Sequence, residues 1–247
     1  MSTNTTGEPA HAACVSAGTS DLQERLAEAA SYAVLRRIAP VLRHDVAGFM
    51  QPVGMLMMVL QRRIQMPEPD MQAITKNVAS VSALTKEATA GCMNAMGWMA
   101  SRDDSGVSLR HSVDEAAKLL AMELSASGLE ITNAVSDDAL TVPQSFFRGV
   151  LMGALLAFCD QRTPGSILRV SVETGAESGS GDVRLMLRML PGNAAAFAAS
   201  AASAASSATD RKPRSIDWHD VKAMTRSFGA RMSRGEGWLS LDLPKLG

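Results

Sequence analysis

The sequence predicts an α+β protein: an N-terminal helical hairpin followed by an α/β two-layer sandwich. Three observations predict it. Apolar residues recur at threes and fours from Ser20 to about Ala100, the period of amphipathic helices. Past Gly106 the texture changes to short β-like runs separated by helical stretches, as in a layered domain. At 247 residues, 46% of them hydrophobic and 20% charged, the chain is long enough for two modest domains with cores of their own.

Residues 1–19 are expected to be a disordered tail. Their sequence, MSTNTTGEPAHAACVSAGT, has neither the basic start nor the apolar middle of a secretory signal. A helix is predicted from Ser20 to about Gln65, with Ser20 and Gln23 spaced as a capping box and a bend at Pro40. The Met66–Asp70 turn, MPEPD, ends it. A second helix then runs to about Ala100, with Ile74, Val78, Val81, Leu84, Ala88 and Cys92 forming its apolar stripe. Two helices with one stripe each cannot enclose a core, whereas two such hairpins from two subunits make a four-helix bundle. Residues 20–101 are therefore expected to form a homodimer, and SRDDSG (Ser101–Gly106) a linker.

The second domain is predicted over residues 107–247. Val107–Arg110 reads as a strand. Ser112 and Glu115 are spaced as a capping box opening a helix that ends near Gly128, and strands follow at Leu129–Val135 and Leu140–Val142. A helix from about Gln144 to Gln161 stops before Thr163-Pro164-Gly165. Strands at Ile167–Glu173 and Val183–Leu190 are joined by a hairpin loop, GAESGSG. Residues 193–209 form an Ala/Ser-rich segment that reads as a frayed helix or a disordered loop, followed by the polar DRKPRS. A helix over about Asp217–Phe228, Gly229, and strands near Ala230–Ser233 and Trp238–Leu243 close the chain.

A formal net charge of −1 gives no electrostatic case for nucleic acid or an anionic membrane as partner. Three widely spaced cysteines without a CxxC pair suggest neither a disulfide framework nor a metal site, and point to the reduced cytoplasm. The longest apolar run, Gly149–Cys159, is shorter than the roughly 20 residues a bilayer span requires. The sixteen methionines read as adaptable bundle packing. Trp98, Trp218 and Trp238 read as core residues, and His111 and His219, far apart, receive no role. No GxSxG, P-loop or HExxH motif is present.

The sharpest local feature is LRHDVAGFMQPVGMLMMVL, Leu42–Leu60. At about 100° per residue, Leu35, Ile38, Leu42, Val46, Phe49, Val53, Leu56, Leu60 and Ile64 share one direction, and His44 points about 160° away from it. A lone helical histidine is usually a surface residue or a satisfied core group, and this wheel excludes the core. Arg37, Gly48 and Gln51 are expected on the same exposed face. An exposed imidazole on a stiff helix can attack a phosphoryl group with one nitrogen while the other is held by a hydrogen bond. Asp45 is placed to act as base or to orient the ring, and Gly48 leaves room for a phosphate or a partner loop. Arg37 or Arg43 would help neutralise phosphoryl charge, although basic residues on helix faces are usually only solvated.

At these residues the sequence resembles the two-component histidine kinase family, whose dimerization helix carries a His, an acidic residue and, a little later, a proline. His44, Asp45 and Pro52 follow that order, with Pro52 three residues further on than in the commonest pattern. Gly48 stands where many members have a Thr or Asn that supports phosphatase chemistry. Phe147–Glu173 and Asp217–Pro244 resemble segments of the family's ATPase-like domain, so the resemblance spans most of residues 20–247. The nucleotide ligands do not carry over. Gly153 and Ala157 replace the magnesium-binding asparagines and offer no side-chain oxygen to a hard cation. LPGNAAAF stands in place of an Asp-x-Gly-x-Gly element, and the Ala/Ser segment replaces the glycine-rich lid. The resemblance therefore implies a degenerate domain without Mg-ATP or any other cofactor, and no autophosphorylation from ATP. It is similar to the dimeric histidine phosphotransferases built on kinase-like scaffolds. Such a protein accepts a phosphoryl group on His44 from a response-regulator receiver aspartate and passes it to another, magnesium being supplied by the receiver. A divergent kinase that still uses ATP, and a non-catalytic scaffold for two-component partners, are the alternatives.

Overall fold

α1 runs from Glu8 to Ile64 as one helix and contains both Pro40 and Pro52. The computed structural model describes residues 8–99, 105–136, 140–161, 165–174, 183–192 and 214–243, with residues 8–19 described by their backbone alone. The helix thus starts inside the segment expected to be a tail, and Ser20 is not its cap. A capping side chain acts where the preceding backbone leaves the helix, and here the backbone stays helical through Ser20. Residues 1–7, most of the expected 101–106 linker, the Thr163-Pro164 turn, the GAESGSG loop and the 193–209 Ala/Ser segment lie outside the described residues.

The chain divides into two compact units, one of residues Leu35–Arg102 and one of residues up to Val34 together with those from Asp103 onward. The first unit is a helical hairpin, formed by the later part of α1 and by α2 (Met71–Gly97). Asp70 caps α2, its carboxylate accepting from the backbone N–H groups of Gln72 and Ala73 at 3.0 Å each. Phe49 of α1 lies over Gly91 of α2, where any side chain would run into its ring. Leu60, Ile74 and Ala88 are buried in the single chain.

The predicted stripes hold with two exceptions. Ile64 is 55% exposed and Val78 is 51% exposed, while Asn77 takes the half-buried position beside Ile74. α2 follows an alternating three-four spacing through Ile74, Asn77, Val81, Leu84, Ala88, Gly91, Ala95 and Trp98. Spacing of 3.5 keeps one seam facing inward, and Val78 falls outside it.

The second unit is built on a five-stranded sheet ordered β2-β4-β5-β7-β6, comprising β2 (Leu129–Asn133), β4 (Ser166–Thr174), β5 (Val183–Pro191), β6 (Arg231–Gly235) and β7 (Trp238–Leu243). β2 and β4 pair in parallel and the remaining pairs are antiparallel. β1 (Gly106–Ser108) and β3 (Thr141–Pro143) form a separate antiparallel ribbon. The α+β class expected from the sequence is the class observed.

Alternation gives the sheet one buried face, carrying Leu168, Val170, Leu185, Leu187, Leu239 and Leu241, and one open face, carrying Arg169, Arg184 and Arg188. The core's other half comes from a helical run of α5 (Gln144–Phe146), a π-helical turn (Phe147–Leu151) and α6 (Met152–Gln161). Phe146, Phe147 and every residue from Gly149 to Cys159 are buried. Burial of apolar surface stabilises by about 25 cal/mol per Å², and this segment contributes through nearly all of its side chains.

α3 (Leu109–Leu119) and α4 (Ala121–Ser127) replace the single helix predicted there, with the break at Leu120. The cap is Ser108 rather than Ser112. Ser108 accepts from the His111 N–H at 3.3 Å, and the Ser112 hydroxyl instead donates to the Ser108 carbonyl at 2.9 Å. The helix begins where β1 ends, so Ser112 is already inside it. Gly128, at φ 71°, closes α4 in the left-handed region that favours glycine.

α7 (Trp218–Ser227) opens with a capping box between Asp217 and Asp220. Trp218 meets Phe158 edge to face at 5.0 Å between ring centroids. Trp98 is buried, but Trp238 is 37% exposed and lies on the open face of the sheet over Gly235, contrary to its reading as core. Its position in β7 alternates with the buried Leu239, which points it away from the helices.

Candidate functional site

His44 stands on the exposed side of α1, with 88% of its side chain open to solvent. Asp45, 49% exposed, brings Oδ1 to 3.7 Å from His44 Nδ1. That separation is slightly longer than a hydrogen bond. Arg43 is exposed beside them. Gly48 and Gln51 are exposed as expected, and the space where Gly48 would carry a Cβ has no atom within 4 Å.

Arg37 departs from the expectation. It is 9% exposed, hence buried, and it does not join the open face around His44. The wheel used one apolar direction for the whole helix, whereas α1 has two. Ala27, Ala30 and Val34 form a buried stripe rotated by about 90° from the Leu42–Leu60 stripe at 100° per residue. At 100° per residue Arg37 lies only about 20° from His44, so its burial is not a matter of direction.

The open face carries residues that the sequence reading assigned to packing. Met55 and Met58, each 65% exposed, follow His44, Gly48 and Gln51 at alternating intervals of four and three. All five positions lie within about 40° of one direction, on a strip about 21 Å long at 1.5 Å per residue. The signal was present in the spacing, but the apolar character of methionine hid it.

Gly153 and Ala157, the positions matched to magnesium-binding asparagines, are buried. A Cβ on Gly153 would run into the Met224 methyl of α7 and lie 3.6 Å from Val34 Cγ2 of α1. On Gly149, one turn earlier, it would lie 3.7 Å from Ser31 Oγ. The small residues of this run thus seat the leading part of α1 and α7. The run's one carboxylate, Asp160, accepts a 2.8 Å hydrogen bond from the Ile216 backbone N–H. These residues do not fit a bound magnesium ion, which needs several aligned oxygen ligands. Among the described residues no group of three His, Cys, Asp or Glu side chains could hold a metal ion, and no helix is long and apolar enough to cross a membrane.

No family model matches the sequence, and no curated protein does. Solved structures of histidine kinases resemble it distantly. The cytoplasmic segment of histidine kinase QseC is 8% identical, with 57% of this chain and 78% of that chain covered and a TM-score of 0.37. Acinetobacter baumannii histidine kinase AdeS is 11% identical, with 78% of this chain and 96% of that chain covered and a TM-score of 0.40. Histidine kinase ThkA in complex with response regulator protein TrrA is 11% identical, with 87% of this chain and 63% of that chain covered and a TM-score of 0.39.

Proposed function

We propose that the chain is a phosphorelay histidine phosphotransferase that works without ATP. The observation that carries this reading is the near-complete exposure of His44 on a helix face of its own, with a carboxylate beside one ring nitrogen. With Asp45 on the Nδ1 side, Nε2 is the nucleophile. It attacks the phosphorus of a receiver's aspartyl phosphate, an N–P bond forms, the acyl P–O bond breaks, and the receiver's carboxylate leaves with the electron pair. Asp45 stabilises the positive charge on the imidazole and holds the ring. The reverse step on a second receiver returns the phosphoryl group to a carboxylate.

Gly48, Gln51, Met55 and Met58 give the receiver its landing strip, and Arg43 adds a cation near the phosphoryl group. The hairpin pairs with a second copy through its seam into a four-helix bundle. The ATP-independent part of the reading is supported by Gly153 and Ala157, which are buried and offer no side-chain oxygen. Incubation of the purified chain with phosphorylated receivers tests the proposal. The wild type takes up label, His44→Gln takes up none, and neither is labelled by Mg-ATP alone. A wild type that stays unlabelled across a panel of receivers overturns it.

A further inference from the structure

The open face of the sheet carries two rows of different make-up. Across β4, β5, β7 and β6, one row runs Glu173, Arg184, Asp242, Arg231 in register, so that each cation has a carboxylate beside it. Arg184 Nε donates to Asp242 Oδ1 at 2.6 Å. Four residues along each strand, a second row runs Arg169, Arg188, Trp238, Gly235. It holds no carboxylate. Arg188 reaches back to Glu173 at 3.5 Å, whereas the cross-strand neighbours of Arg169 are Arg188 and Thr132.

Three features here depart from what a solvated sheet face calls for. Two guanidinium groups stand on directly opposed residues, an arrangement that costs stability. Trp238 keeps 37% of its surface exposed, with its ring resting on Gly235. Met186, which lies between the two rows and faces away from the helices, is only 6% exposed. The three features meet at one place. A cavity of about 420 Å³ opens there, with Met186 as its floor, Trp238 and Arg188 as walls and the Glu236–Gly237 turn at its rim. An apolar floor, one aromatic wall and a few polar groups around a space of this size suit a small molecule.

We propose that this cavity binds a small aromatic monocarboxylate. The ligand's ring packs against Trp238 and over the Met186 thioether, and its carboxylate accepts from the Arg188 guanidinium. Arg169, across from Arg188, adds the second positive charge. Glu236 at the rim and Glu173 beside Arg188 repel a second negative charge, which disfavours phosphate dianions and nucleoside triphosphates.

The test follows the Trp238 indole N–H signal in a proton–nitrogen correlation spectrum of the full chain, assigned with Trp238→Phe. Phenylacetate is expected to shift this signal saturably, and acetate or phenylacetamide to need at least about tenfold higher concentration. A signal that phenylacetate leaves in place overturns the proposal. Equal shifts by acetate mean an adventitious anion only, equal shifts by phenylacetamide mean apolar contact only, and either result also overturns it. Arg188→Gln is expected to weaken phenylacetate about tenfold, and Arg184→Gln, in the balanced row, to leave it within about twofold. Where Arg188→Gln does not fold, Arg169→Gln takes its place with the same direction expected. Unchanged affinity in the folded variant, or an equal loss in Arg184→Gln, overturns the assignment of the carboxylate.

Discussion

Two helical stretches of similar apolar content have opposite fates in this molecule. From Leu42 to Leu60, α1 is half-buried along one stripe and open on the other side, where His44, Gly48, Gln51, Met55 and Met58 line up. From Gly149 to Cys159 the helical run is buried on every side, and its small residues are filled in by Met224, Val34 and Ser31. Chemistry needs a reactive atom that a partner can reach. The first stretch leaves the His44 imidazole within reach of a partner, and the second is covered by packing. A residue's type says less about its role than the number of sides from which it is covered.

Substitutions on the two stretches probe this contrast. The largest expected effect is in the buried run. Phe158→Ala removes a ring buried against Trp218 and is expected to cost about 3–5 kcal/mol of unfolding free energy in urea titration, with the His44 helix still accepting label while folded. A loss below about 1 kcal/mol would break the contrast by showing that the run can collapse around a void.

Gly153→Asn is next. It adds an amide that meets Met224 and Val34, so it is expected to destabilise by about 1–3 kcal/mol without creating Mg-ATP binding in calorimetry. Heat of binding for Mg-ATP would show that the site is only masked. On the open face, Asp45→Asn is expected to slow transfer from a phosphorylated receiver about tenfold while leaving the melting temperature unchanged, because it removes charge beside the imidazole but no packing. An unchanged rate would place ring orientation elsewhere.

Met58→Ala should do least to the fold. With 65% of the residue exposed, the change in stability is expected to stay within about 0.5 kcal/mol, with the effect confined to a weaker encounter with the receiver. A stability loss near that of Phe158→Ala would mean that this face is covered.

Much of this was legible along the chain because it depends on local periodicity. The Leu42–Leu60 stripe, the turn at Met66–Asp70, the strands Ser166–Thr174 and Val183–Pro191 and the closing helix and hairpin all follow from three-four or two-fold alternation and from turn residues. Exposure of His44 followed from the same wheel. Burial of Arg37 did not, because the wheel sets it within about 20° of His44 and records direction, not what covers a side chain. Val78 and Asn77 were exchanged for a related reason: a 3.6 period and a 3.5 seam diverge slowly, and the more apolar neighbour was taken as the inward one. Ser112 was one turn too late as a cap, since a short strand and a helix start compete for the same few residues.

The sequence by itself determined the element types, the α+β order and the outward direction of His44, since each depends on residues a few positions apart. Only the tertiary structure decided that Arg37 is buried, that Met55 and Met58 extend the open face, that Trp238 lies on the bare side of the sheet, and that Met224 and Val34 fill the space over Gly153. Those facts depend on which distant segment arrives to cover a given side chain, and no local periodicity encodes that arrival.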